Sequence, residues 1–369
     1  MRVHKPVAFP IWRKFRHNLD ARVKDIPSIT IENLLNLHLE EVHTSRLTRR
    51  RRFNAWKYLY DLVHFGPEYF QKKQLGDPQV IDGIPITKTS QVPLQGVDVS
   101  PSTPGQNAEA LDAFFQQAAI GDPNDNPGVK AVGNSVILVS GDLLTIQHLQ
   151  SLRESRAEES TPWRQVQFPI FIMGLFHFKM ACADAIWRVF MNNKASQPDN
   201  NDLITFVGQI RPKETRKIAS KPGFRCMHEV IQHMGIVSRL DIWWLVGTSR
   251  ATLEEFAQSE PKWEDIEEMA HRIVVRNGTQ SDFSWMRAKD DKERDKVHEN
   301  MILQEECFLL YKEISHALNY GDIGRVETCF LPWMYIFAGC GKHKYASELR
   351  RYLEDIHFNY PKPLRCVRI

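Results

Sequence analysis

Only two stretches of this chain read as buried β-strand, and both fall between residues 135 and 176. One is Val136–Val139, inside SVILVSGDLLTIQ; the other lies in QFPIFIMGLF, 167–176. A short apolar run bounded by turn-forming residues is the pattern of a strand covered on both faces. The second run passes directly into FHFKMACADAIWRVF, whose apolar spacing is helical. Beyond residue 200 almost everything has helical spacing: 223–246, 252–258, 263–276, 291–319, 323–338 and 343–358. Gly321, Gly339, Gly341 and Pro361 are the expected stops. The expected fold class is mixed α/β, predominantly helical, with a small central sheet and a large helical part.

Three segments are expected. Residues 1–75 form a basic helical region, with 15 Lys and Arg against 7 Asp and Glu. Within it, 28–65 reads as one long helix or two consecutive ones, with Ser28 as an N-cap and Gly66-Pro67 as the end. Residues 76–130 form a Pro- and Gly-rich acidic linker with one short helix at 107–119. Residues 131–369 are the main domain, with its sheet core at 131–195 and its helical part at 200–369.

Bulk properties narrow the function classes only a little. A chain of 369 residues with 42% hydrophobic content can bury a large core. A net charge of +3 names no partner. Six cysteines without a CxxC pair fit reduced thiols in an intracellular protein, nuclear or cytoplasmic. No apolar run reaches the length, about 18 residues, that a bilayer span needs.

Several motif-like stretches fail on chemistry. FAGCGKHKY (337–345) has Ile336 where a phosphate loop needs its first glycine, and His343 where it needs a magnesium-binding hydroxyl. HEVIQH (228–233) sets its histidines five apart, about 140° around a helix, so they cannot share a zinc ion. In FHFKMACADAIWR, His177 and Cys182 read as core residues, whereas Asp184 needs a partner or a cleft. The run Arg49, Arg50, Arg51 and Arg52 points all around a helix. It is a solvated face, a nuclear-import signal or a phosphate-contacting surface for DNA, with Trp56, Tyr58 and Tyr60 close behind.

GDLLTIQHLQSLRESR (141–156), FIMGLFHFKMACADAIWR (171–188) and GDIGRVETCFLPWMYIFAGCGKHKYASELRRYL (321–353) together resemble a large fungal family of uncharacterised, often multicopy proteins that carry a domain of unknown function. RPKETRKIASKPGFRCMHEVI (211–231) is similar to the same family, and the likeness covers roughly 130–365. The family's domain normally runs further, so the chain is expected to be a C-terminally truncated copy. More distant relatives have a similar Gly-Asp-x-Leu-Thr motif, an Asp-Phe-His motif and a Lys-Tyr-Ala helix. That likeness implies a transposon origin and an RNase H-like core that binds DNA.

An RNase H-like nuclease holds two Mg²⁺ ions about 3.5–4 Å apart on converging carboxylates. On this analogy Asp142, Asp184 and Glu327 are the metal ligands, and His177 orients a ligand or water. Asp142 stands where a strand-end acid belongs, yet the same position suits an N-cap for the helix starting near Leu144. The Asp of the Asp-Phe-His motif is replaced by Leu175, which cannot bind a metal. The alternative is a non-catalytic helical scaffold or protein-interaction domain whose acids are caps and salt bridges.

Overall fold

In this computed structural model, which describes residues 2–3, 7–8, 29–38, 40, 43–88, 90–100, 102–131, 135–161, 163–191, 202–220, 222–247, 252–277, 286–290 and 292–360, the chain forms two compact units. The first comprises Met1–Leu37, Pro85–Phe178 and His343–Ile369; the second comprises His38–Ile84 and Lys179–Lys342. Both units are therefore discontinuous in sequence and cut across the three segments expected above. Ser28 lies outside the described residues.

The first unit is organised by its longest strand, β5 (Ser135–Gly141). It runs parallel to β6 (Pro169–Met173), from Ile137 opposite Pro169 to Gly141 opposite Met173. Two-residue strands β1 (Arg2–Val3) and β2 (Val7–Ala8) pair antiparallel with β5. Val139 and Ser140 pair with both β1 and β6, so those two strands take opposite edges of β5. A second small sheet pairs β3 (Ile120–Gly121) with β4 (Lys130–Ala131) in parallel. The strands expected near 136 and 168 thus lie in one sheet, though the second is shorter than its apolar run.

Side chains alternate across a strand, and in β5 both faces are used. Ile137 and Val139 pack with Phe168 and Phe171, with Leu111 and Phe115 of one helix, and with Ile146, Leu149 and Leu152 of another. Val136 and Leu138 face Ile170, Ile172 and Tyr360. This two-sided burial explains the unbroken apolar run.

The helices of this unit are α1 (Ile31–Leu35), α4 (Pro104–Gln117), α5 (Leu143–Ser155), the start of α6 (Leu175–Phe190), and α14 (His343–Glu354). Helix α5 is the crossover that two adjacent parallel strands require. Helix α4 starts before the expected residue 107. Thr103 caps it through the amide of Gln106, and Pro104 stands at a position where its missing N–H costs nothing. A π-turn, Asp355–Asn359, follows α14, so the expected helix 343–358 changes its winding in the last turn.

The second unit is helical throughout its named elements. They are α2 (Arg49–Phe65), α3 (Glu68–Gln71), most of α6, α7 (Leu203–Ile210), α8 (Thr215–Ser220), α9 (Phe224–Gly247), α10 (Leu253–Gln258), α11 (Trp263–Asn277), α12 (Lys296–Tyr320) and α13 (Ile323–Gly339). Residues 28–65 are not one helix: 31–35 and 49–65 are separate, and α2 begins where Thr48 accepts the amide of Arg51.

Ala55, Tyr58, Leu59 and Leu62 recur at helical spacing on α2. They pack with Trp243 of α9, with Ile266, Met269, Ala270 and Ile273 of α11, and with Leu309 of α12. No helix among the described residues is long and apolar enough to cross a membrane.

The stretch expected as a linker at 76–106 contributes to this unit through residues 76–84. The amides of Ile81 and Asp82 donate to the carboxylate of Asp322 at 3.1 and 3.0 Å. Ile84 donates to the carbonyl of Gly321, the residue that ends α12 at φ 68°. Gly324 lies directly underneath. A Cβ there would stand 2.7 Å from Asp82 Cβ and 2.9 Å from its amide nitrogen, so only glycine admits the strap.

Candidate functional site

The carboxyl ends of β5 and β6 bring together two of the residues singled out from sequence. The strand ends are stitched by the Gly174 amide, which donates to the Gly141 carbonyl at 2.7 Å. Asp142 follows β5 and caps α5: its Oδ1 accepts the Thr145 amide at 2.7 Å. His177, in the first turn of α6, is close enough for its charge to act on Asp142. Burial on its own would raise the Asp142 carboxyl. The Thr145 amide and hydroxyl, with His177, outweigh it and hold the group below the usual carboxylate range. Both side chains are exposed, so His177 is not the core residue its neighbours suggested.

The other two acids lie in the second unit, each with a protein partner. The Asp184 carboxylate takes Arg188 at 2.9 Å, one turn on along α6, and Lys342 at 2.6 Å. Glu327, on α13, lies 3.6 Å from Nε2 of His38. Among the described residues of each unit, neither Asp142 nor Asp184 shares a group of three or more His, Cys, Asp or Glu ligand atoms within 4.8 Å of one another. The histidines of HEVIQH have separate partners, His228 with the Tyr311 hydroxyl and His233 with Arg211.

The arginine run does not present four equivalent cations. Arg50 donates from Nε to Glu313 at 3.0 Å and from Nη2 to the Thr328 carbonyl at 2.9 Å. Arg52 donates to the Leu47 carbonyl and to Gln79 Oε1 at 2.8 and 3.1 Å. The Arg49 backbone amide is held by the Glu40 carboxylate. Arg51 interacts electrostatically with Glu306. Half of the run therefore stabilises its own unit.

Two buried charge networks escape a reading of the sequence. In the first, Lys57 and Asp61 pair within α2, Arg239 of α9 pairs with Asp61, and Arg239 Nη1 reaches Glu305 of α12 at 3.0 Å. All four side chains are buried, Asp61 completely. Burial pulls the Lys57 ammonium down to about 7, against the pull of Asp61, and pushes the Glu305 carboxyl up to about 7, against the pull of Arg239. Gly235, one turn before Arg239, makes room for the guanidinium: a Cβ there would stand 2.9 Å from both Nη atoms.

In the second network Arg325 links Glu313 at 3.1 Å to Asp322 at 3.2 Å, and Arg50 joins it through Glu313. The usual sequence sign of such groups is a charged residue on the apolar arc of a helix, and Lys57 and Asp61 flank Tyr58 and Leu62.

Three of the thiols are unsuited to nucleophilic work. Cys182 and Cys329 are buried, which pushes both well above the ordinary thiol value, and burial raises Cys307 to about 12.

Searches of curated proteins and of solved structures returned no match. The model of the Family of unknown function (DUF6589) matches residues 27–369, nearly the whole chain, and the chain belongs to that family.

Proposed function

We propose that this chain is a non-catalytic helical scaffold or protein-interaction domain. The observation that carries this reading is the state of the three acids. Asp142 is spent on a helix cap, Asp184 is neutralised by two cations, and Glu327 faces His38. A magnesium pair needs carboxylates with free oxygens converging on one point. Leu175 supplies none. The acids act as caps and ion-pair partners, which is structural work.

A second reading keeps a transposon-derived, RNase H-like domain that binds DNA and cuts it with Mg²⁺. One feature favours it: Asp142 and His177 are exposed together at the carboxyl ends of two parallel strands, where open α/β sheets place their ligands.

The two readings separate in one experiment. The full chain is titrated with Mn²⁺ by calorimetry and then incubated with supercoiled plasmid in Mg²⁺ or Mn²⁺. The scaffold reading expects no stoichiometric metal binding and no nicking. Metal-dependent nicking that disappears in Asp142→Asn would overturn it in favour of the nuclease.

A further inference from the structure

Within the second unit a cleft of about 190 Å³ opens beside the first turns of α2. His43, Arg49, Arg52, Phe53, Trp56 and Arg325 supply its side-chain chemistry, and Pro78, Gln79 and Ile81 of the strap close it. No Asp or Glu is among these lining residues.

The cations are not equivalent. Arg325 is matched by Glu313 and Asp322. Arg52 is held by two neutral oxygens, Leu47 O and Gln79 Oε1, and has no carboxylate partner among the described residues. A guanidinium has five N–H donors in a planar fork, so Arg52 keeps donors to spare while its position is fixed. The Arg49 side chain has no hydrogen-bond or ion-pair partner among the described residues. Glu40 already occupies the Arg49 amide, so the helix end itself is closed and the remaining donors are side chains. His43 Nδ1 is engaged by the Ser45 hydroxyl at 2.7 Å and the Ser45 amide at 3.1 Å, so Nε2 is the ring nitrogen left for a ligand.

One wall is aromatic and fixed. The Trp56 indole N–H donates to the Gly76 carbonyl at 2.8 Å, and the ring packs against Phe53, Tyr60 and His316. Two guanidinium groups with no carboxylate partner among the described residues, beside a fixed indole, suit a doubly charged oxyanion carried on a flat ring. The volume is below the range of about 300–1,000 Å³ typical of drug-sized ligands, which points to a small molecule.

We propose that this cleft binds a small phosphomonoester with a planar aromatic ring, Arg49 and Arg52 taking the phosphate and Trp56 the ring. The site is independent of the scaffold reading, because it uses none of the acids on which that reading rests.

The test is calorimetry on the full chain with four probes: phenyl phosphate, AMP, inorganic phosphate and phenol. Phenyl phosphate or AMP is expected to bind at least about tenfold more tightly than inorganic phosphate, and phenol not to bind, since the charge-assisted bonds are lost with it. Arg49→Ala, which removes no side-chain hydrogen bond or ion pair among the described residues, is expected to weaken binding about tenfold or more with its circular dichroism unchanged. Arg52→Lys keeps the charge but loses the fork, and is expected to weaken binding as well. Binding equal in wild type, Arg49→Ala and Arg52→Lys would overturn the proposal, as would phenyl phosphate and AMP binding no more tightly than phosphate, or no binding of any probe at about 10 mM, an affinity weaker than about −3 kcal/mol.

Discussion

Replacing Arg239 with methionine removes the one group that joins Asp61 to Glu305 in the interior. Methionine keeps much of the apolar stem, so the change is mainly one of charge. The network goes from two cations and two acids to one cation and two acids. Arg239, Asp61 and Lys57 are all 2% exposed or less, so water cannot take over the lost role. Breaking a buried ion pair by removing one partner costs about 3–5 kcal/mol, because the other charge stays behind. Glu305 loses its cation and Asp61 keeps only Lys57, which places Arg239→Met within that range, about 4 kcal/mol. Typical domain stability is about 5–15 kcal/mol, so the loss is a large share of the whole.

The assay is urea unfolding read out locally, by amide hydrogen exchange across α9, since a chain with two compact units need not unfold in one step. Adding Glu305→Gln to Arg239→Met removes the stranded carboxylate while Asp61 keeps Lys57, and is expected to recover several kcal/mol, a non-additive result. Gly235→Ala probes the same group from outside. The added methyl displaces the guanidinium and outweighs the gain of about 1 kcal/mol in helix propensity. A loss below about 1 kcal/mol in Arg239→Met, the range of a solvated pair, would refute the reasoning.

Asp142→Ala is expected to destabilise α5 by about 1 kcal/mol, and Asp142→Asn by no more than a few tenths, because asparagine caps as well as aspartate; thermal melts of the two variants decide this. Gly324→Ala is expected to lift residues 81–84 off α13, seen as faster proteolysis in that stretch with the rest of the chain intact. His228 and His316 are both lowered to about 4, first by burial, then by Lys179 for His228 and Arg325 for His316, with Lys312 adding to both. Their ordinary value is 6.5, so between 6.5 and 4 the unfolded chain binds more protons than the folded one. Stability is then full above pH 6.5 and falls as the pH drops toward 4; His228→Gln with His316→Gln should flatten that limb of the melting temperature against pH.

Helix positions were largely legible because apolar spacing survives in a single sequence. Residues 223–246, 263–276 and 323–338 were expected, and 224–247, 263–277 and 323–339 are observed. The strand at Val136–Val139 was legible for the same reason, since a run covered on both faces has no polar interruption. Partner choice was not legible. Lys57 and Asp61, four apart on a helix, look like an ordinary surface pair until Arg239 and Glu305 arrive from distant segments. The same applies to Arg50, whose run suggested an external surface while its fork turns toward Glu313. At Asp142 the cap was among the readings left open by the sequence, and the Thr145 amide is the group that takes it up.

The order of segments has a consequence for synthesis. Everything in the helical unit, His38–Ile84 and Lys179–Lys342, is translated before His343. The sheet unit needs residues on the far side of that point, including Tyr360 against Val136 and Leu138. On the ribosome, the face of β5 that carries Val136 and Leu138 therefore lacks Tyr360 until the segment after His343 emerges, by which time all of the helical unit has been translated. A nascent chain stalled before that moment would leave Val136 and Leu138 of β5 without that cover, an interval in which a chaperone would find apolar surface to engage.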